Sequence, residues 1–216
     1  MKLTKSNSPN GVGHKDYQLL LEYRSLKSYS PQGVYIVSQL QNNRIWHGVI
    51  FIRSGDYKGS IFKFQINIPV NYPETRPEVY FTSPVFHPLV DPESGYLNIN
   101  PKFKHWRPKK DFIFLLLWYL KSVFLSKEHW YEEYVLNSTA WSVYTQDESF
   151  FQREAKICAA VSNQDLTEND PENPMKFSLY NAFHKKILKR LRSINPTLSE
   201  QERCEAFMQW FRNTFS

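Results

Sequence analysis

Three prolines within nine positions, Pro69-Val-Asn-Tyr-Pro-Glu-Thr-Arg-Pro77, constrain this chain more than any other stretch. Each proline fixes φ and removes a backbone donor, so the segment is a rigid connection and not a strand. Before it, Ser60 to Ile68 alternates cleanly: Ile61, Phe62, Phe64, Ile66 and Ile68 are broken by Lys63, Gln65 and Asn67. After it, Glu78 to Thr82 is a second β-prone run. A stiff link between two strands swings the chain across a sheet and aims the segment beyond the second strand. That segment, Phe86 to Trp106, reads FHPLVDPESGYLNINPKFKHW, an irregular stretch with His87-Pro88 at its start and Gly95 in its middle. Long irregular segments between a sheet and a helix are where small α/β domains keep their chemistry.

The flanking patterns fill in the rest. Tyr17, Leu20, Leu21 and Leu26 fall near one helical face and predict a helix over His14–Lys27, stopped by Ser28, Ser30, Pro31 and Gly33. Val34–Val37 and Arg44–Arg53 are strands. The turn clusters Gln41-Asn42-Asn43 and Ser54-Gly55-Asp56 sit at hairpin spacing, which predicts an antiparallel meander. Asp111 is placed to cap an apolar helix through Phe112, Leu115, Leu116, Tyr119, Leu120 and Val123. Asn137-Ser138-Thr139 starts another helix, and Asp147–Val161 a third, with Phe150, Phe151, Ala155, Cys158 and Ala159 inward. The expected core includes Phe64, Ile66, Leu116, Tyr119 and Trp106. The order of elements is that of an α+β domain.

A polar stretch, SNQDLTENDPENP at 162–174, then separates this domain from a basic segment. Met175 to Arg192 carries six Lys/Arg and no acid, with Tyr180, Phe183, Ile187, Leu188 and Leu191 at helical spacing. Ser199 and Glu202 open a last helix with Ala206, Phe207, Trp210 and Phe211 on one stripe. The expected organisation is a disordered stretch at 1–13, a domain at 14–161, a linker at 162–174 and a basic amphipathic helical tail at 175–216.

With 216 residues, 41% of them hydrophobic, the chain can hold one well-cored domain plus extra segments. Its two cysteines, Cys158 and Cys204, form neither a disulfide framework nor a zinc spacing, so no metal or cofactor is expected and a reducing, cytoplasmic setting is. The most apolar run, Phe112–Leu120, is too short to span a bilayer. A formal net charge of +6 favours an acidic partner or anionic surface. Basic residues interleaved with exposed aromatics in a nucleic-acid motif are lacking, so no nucleic acid is expected.

Within the irregular segment, Asp91 and Glu93 could form an acid/base pair, but carboxylates in a Pro/Ser/Gly turn are usually solvated turn residues. Cys158 lies between Ala155 and Ala159 and reads as a buried structural thiol. His87 alone is weak evidence for a base.

The combination of Pro69-x-x-Tyr72-Pro73, His87-Pro88, Gly95 and Trp106, in that order, resembles the ubiquitin-conjugating enzyme family. The resemblance covers about Asp16 to Val161. It implies a ubiquitin-conjugating-enzyme-like fold with an N-terminal helix, a four-stranded antiparallel meander and C-terminal helices. In that family a Gly-x-[Ile/Val]-Cys segment supplies the thiol that accepts ubiquitin as a thioester, and a His-Pro-Asn motif steadies the oxyanion. Here Gly95-Tyr96-Leu97 is followed by Asn98, and the motif asparagine is Leu89. An amide cannot hold a thioester and a leucine donates no hydrogen bond, so the expectation is a pseudoenzyme with degenerate positions His87, Pro88, Leu89 and Asn98 and no catalytic residue. His87-Pro-Leu-Val90, Ser94-Gly-Tyr-Leu97 and Lys104-His-Trp106 are most similar to the Fused Toes (AKT-interacting protein) and crossbronx subfamily.

That subfamily resemblance implies a non-enzymatic adaptor that joins Hook-type coiled-coil proteins and an associated adaptor subunit in vesicle transport. The basic tail supplies a candidate partner-binding set: Tyr180, Phe183, Lys185, Lys186, Ile187, Lys189, Arg190 and Leu191. The same face suits peripheral membrane contact. The alternative implication is a cysteine-less accessory subunit that pairs with an active conjugating enzyme and holds ubiquitin.

Overall fold

The computed structural model describes residues 14–164, 166, 173–178 and 180–215. The expectation of disorder at 1–13, and the part of the linker at 165 and 167–172, lie outside these residues. The chain divides into two compact units, Met1–Lys176 and Phe177–Ser216.

In the first unit a helix, α1 (His14–Tyr29), precedes four strands: β1 (Val34–Ser38), β2 (Ile45–Phe51), β3 (Ile61–Asn67) and β4 (Glu78–Phe81). They form one antiparallel sheet in sequence order, with Ile36 opposite Gly48, Gly48 opposite Phe64 and Phe64 opposite Phe81. The two-residue alternation of β3 sends Phe62, Phe64 and Ile66 to the core and leaves Lys63, Gln65 and Asn67 on the other face. A Cβ at Gly48 would stand 2.3 Å from the Phe64 ring, so the missing side chain lets that ring cross the strand.

Five helical elements complete this unit: α2 (Asn100–Phe103), α3 (Ile113–Leu125), a 3₁₀ turn at Glu132–Tyr134, α4 (Ser138–Gln146) and α5 (Glu148–Val161). α3 lies on the sheet. Its Phe124 stacks on Phe62 at 5.1 Å and meets the edge of Phe81 at 5.5 Å. Phe64, Ile66, Leu116 and Tyr119 are buried as expected. Trp106 is only half-buried: it closes the rim of the core against Phe103 and Tyr72, and does not enter it.

α1 turns Leu19, Glu22 and Leu26 inward and leaves Tyr17, Leu20 and Leu21 in solvent. The four residues that marked this helix in the sequence thus divide between its two faces, Leu26 inward and the others outward. Two further expectations are corrected. Asp111 does not cap α3. Its carboxylate accepts instead from the backbone N–H, Nε and Nη2 of Arg107. The α3 N-terminus is capped from a distance by Glu22, whose Oε2 accepts the Ile113 N–H at 2.9 Å. In α5, Phe151, Ala155 and Ala159 are buried, but Phe150 points outward and Cys158 is half-buried. Asn137 and Asp147 cap α4 and α5, accepting from Ala140 N and Phe150 N.

The chain leaving α5 is tied back to the sheet. Ser162 Oγ accepts the Ile61 N–H at 3.1 Å, Asn163 Nδ2 donates to Gly59 O at 3.0 Å, and Lys63 Nζ donates to Leu166 O at 3.0 Å.

The second unit is a pair of helices, α6 (Ala182–Ser193) and α7 (Glu200–Phe215). Asn181 and His184 form a reciprocal capping box on α6, and Ser199 and Glu202 make the equivalent exchange at α7. Phe183 of α6 packs against Phe211 and Phe215 of α7, with ring centroids 6.3 and 4.8 Å apart. Among the described residues, no helix is long and apolar enough to cross a membrane.

Candidate functional site

The irregular segment is positioned by β4. Residues 90–97 fold into a narrow hairpin bridged at Val90–Leu97, and Tyr96 pairs with Tyr80. Phe81 N donates to Gly95 O and Leu97 N to Val79 O. Gly95 has φ +73°, and a Cβ there would sit 2.1 Å from Phe81 O. Only glycine fits this crossing. Asn98 therefore leaves the hairpin at a fixed height, over the start of α2 and beside the 3₁₀ turn.

All four polar groups of Asn98 are engaged. Its N–H donates to Leu89 O at 2.8 Å, and its carbonyl accepts from the Tyr119 hydroxyl at 2.8 Å. Its Nδ2 donates to Tyr134 O at 2.8 Å, and its Oδ1 accepts the Asn100 N–H at 3.0 Å. The residue is 6% exposed. The side chain thus joins the 3₁₀ turn to the start of α2. Tyr119 and Tyr134, the partners that fix this geometry, were missed as site residues. Tyr119 reads as ordinary core from its helix, and Tyr134 lies in an acidic stretch with no periodic signal.

Leu89 is fully buried, its side chain in the core. Its N–H donates to His87 Nδ1 at 3.0 Å. The opposite ring nitrogen, Nε2, then carries the proton and donates to Val123 O at 3.0 Å. Burial pushes the His87 pKa down to about 4, so the ring is neutral with both nitrogens occupied. This is a structural histidine. Pro88 contributes its carbonyl, which accepts from Leu136 N and Asn137 N. His87, Pro88, Leu89 and Asn98 are therefore brought together, each held by backbone or packing.

The other candidates lie apart from this arrangement. Asp91 Oδ1 accepts from Glu93 N, Ser94 N and Ser94 Oγ, which makes it a turn carboxylate held below its ordinary pKa by those donors. Cys158 Sγ accepts the Phe86 N–H at 3.3 Å, and burial pushes its thiol upward, away from thiolate character. Cys204 is exposed on α7, in the second unit. Among the described residues no group of three or more His, Cys, Asp or Glu could hold a metal ion.

The tail set is split by the α6–α7 pairing. Phe183 lies against α7, Lys186 Nζ sits 5.1 Å over the Phe215 ring, and Ile187 and Arg190 are half-buried. Tyr180, Lys185, Lys189 and Leu191 remain exposed.

A meander sheet crossed by α3, with a proline link and a fixed hairpin before a short helix, defines a class of protein. The chain belongs to the ubiquitin-conjugating enzyme family, whose profile matches residues 18–159. It is similar to the protein crossbronx homolog of Anopheles gambiae, 31% identical over 192 residues, covering 85% of this chain and 84% of that one. It is also similar to the AKT-interacting protein of Rattus norvegicus, 36% identical over 187 residues, covering 82% of this chain and 63% of that protein's length. A ubiquitin-conjugating-type structure from Plasmodium yoelii superposes with a TM-score of 0.62 at 18% identity, covering 70% of this chain and 96% of that one, and shows the shared fold.

Proposed function

We propose that this chain is a non-enzymatic adaptor of the Fused Toes type. It binds a Hook-type coiled-coil protein, with an associated adaptor subunit, in cytoplasmic vesicle trafficking. The observation that carries the reading is Asn98. The position that should bear the thiol holds an amide whose every polar group is engaged, and the neighbouring Leu89 side chain is packed into the core. Covalent ubiquitin transfer needs a thiolate and an oxyanion donor, and this arrangement offers neither.

The docking surface we favour for a coiled coil is α1. Tyr17, Leu20 and Leu21 are 55%, 60% and 47% exposed and are followed by exposed Arg24. This i, i+3, i+4, i+7 stripe is the register in which helices dock on helices. The α6 set named from the sequence is less suited, because Phe183 is already committed to α7.

Two measurements test this. Incubation with activating enzyme, ubiquitin and ATP should give no thiol-reducible adduct on non-reducing electrophoresis; an adduct removes the pseudoenzyme reading. A purified Hook-type coiled coil should bind the full chain and lose binding to Leu20→Asp with Leu21→Asp. Capture of ubiquitin with an active conjugating enzyme, and no coiled coil, would support the accessory-subunit alternative.

A further inference from the structure

We propose that the α6–α7 pair carries a binding face for an anionic lipid surface, independent of the adaptor reading. Charge gives the first argument. Residues 177–216 carry seven Lys/Arg against three Glu, and α6 alone holds five Lys/Arg and no acid in twelve residues. The second unit therefore carries most of the chain's net positive charge.

Packing decides how that charge is presented. Phe183, half-buried Ile187 and Arg190, and buried Ile194 succeed one another at three- and four-residue spacing, and this stripe includes the contact of Phe183 with α7. A different flank stays in solvent. Leu188 and Leu191 are 39% and 44% exposed. Lys185, Leu188 and Arg192 are one turn apart along it, with exposed Lys189 beside Lys185 and Arg192. Tyr180, 65% exposed, stands just before the helix.

Two aliphatic side chains offer fewer apolar anchors for a partner helix than Tyr17, Leu20 and Leu21 of α1 do. The same pair bordered by lysine and arginine suits a helix lying in a membrane interface. There the leucines enter the acyl boundary, the cations meet lipid phosphates, and a tyrosine sits at headgroup level. A second copy of the hairpin is disfavoured as the occupant, because two such cationic helices repel.

The test is vesicle co-sedimentation of the full chain. Vesicles of phosphatidylcholine alone are compared with vesicles containing about a third phosphatidylserine. Binding is expected to the anionic vesicles only, and raising the salt should release it. Replacing Lys185→Gln, Lys189→Gln and Arg192→Gln together should weaken binding on the order of a hundredfold. Leu191→Asn should weaken it by a smaller factor. Far-UV circular dichroism checks that α6 persists, and Lys185→Arg with Lys189→Arg should retain binding. Three results would overturn the proposal. The first is no sedimentation at low salt. The second is equal binding to neutral vesicles or indifference to the triple substitution. The third is binding of an acidic helical peptide through the same three cations without vesicle binding, which would assign the face to a protein.

Discussion

Glu22 Oε2 accepts the Ile113 N–H at 2.9 Å across 91 positions of sequence, so an acid on α1 caps the N-terminus of α3. The other oxygen accepts the Tyr72 hydroxyl at 2.5 Å, which ties in the proline-framed link as well. One buried carboxylate thus joins three elements, and the dipole of α3 favours its charge. Glu22→Ala should cost on the order of 3 kcal/mol, because two buried donors lose their acceptor. Glu22→Gln should cost less, since an amide oxygen can still accept from Ile113. Urea denaturation of the two variants beside the wild type measures both losses.

The same group predicts a pH dependence. Burial is the leading cause that raises the Glu22 carboxyl above its ordinary value of 4.5, against the two hydrogen bonds. A raised folded pKa contributes stability that is fully present below the unfolded value and lost as pH rises through the folded value. Relative to Glu22→Gln, the wild-type protein should therefore gain stability as pH falls from about 7 to about 4.5. Urea denaturation of both proteins across that range checks the sign; a constant difference would mean the carboxyl is not desolvated as placed.

Asn98→Cys should not create an efficient conjugating enzyme. The new thiol would sit where 6% of the residue is exposed, and Leu89 would still offer no oxyanion donor. A missing donor of this kind typically lowers the rate by ~10²–10³. The substitution also removes the ties to Tyr134 O and Asn100 N, so a loss of about 1–3 kcal/mol of stability is expected. Single-turnover charging and discharge of the variant, with a thermal melt alongside, measures both effects. Discharge at the rate of an active enzyme would show that Leu89 is immaterial.

The length of the first unit can be tested by truncation. A chain ending at residue 161 stops at the last residue of α5 and loses the bonds from Ser162, Asn163 and Leu166 to Ile61, Gly59 and Lys63. A chain ending at Lys176 keeps them. The longer form should be the more stable by roughly 1–3 kcal/mol. Equal melting temperatures would show that these contacts contribute nothing.

The strands were legible because their signals are local. Phe62, Phe64 and Ile66 alternate with Lys63, Gln65 and Asn67, and that period assigns a face with no further information. The three prolines from Pro69 to Pro77, the turn glycines and the cap cluster beginning at Asn137 are likewise properties of a few adjacent residues. The identities of Leu89 and Asn98, on which the proposed function rests, are also read directly from the chain.

Local pattern was enough for the order of elements and the faces of the strands. Which side of α1 is buried was left to packing, because Leu19 and Leu20 are equally apolar and only the position of the sheet distinguishes them. Packing also made Glu22 and not Asp111 the cap of α3, kept Trp106 at the rim, and held Asn98 between Tyr119 and Tyr134. These are contacts between residues far apart in the chain. A local pattern cannot encode them, because each depends on where other elements come to rest.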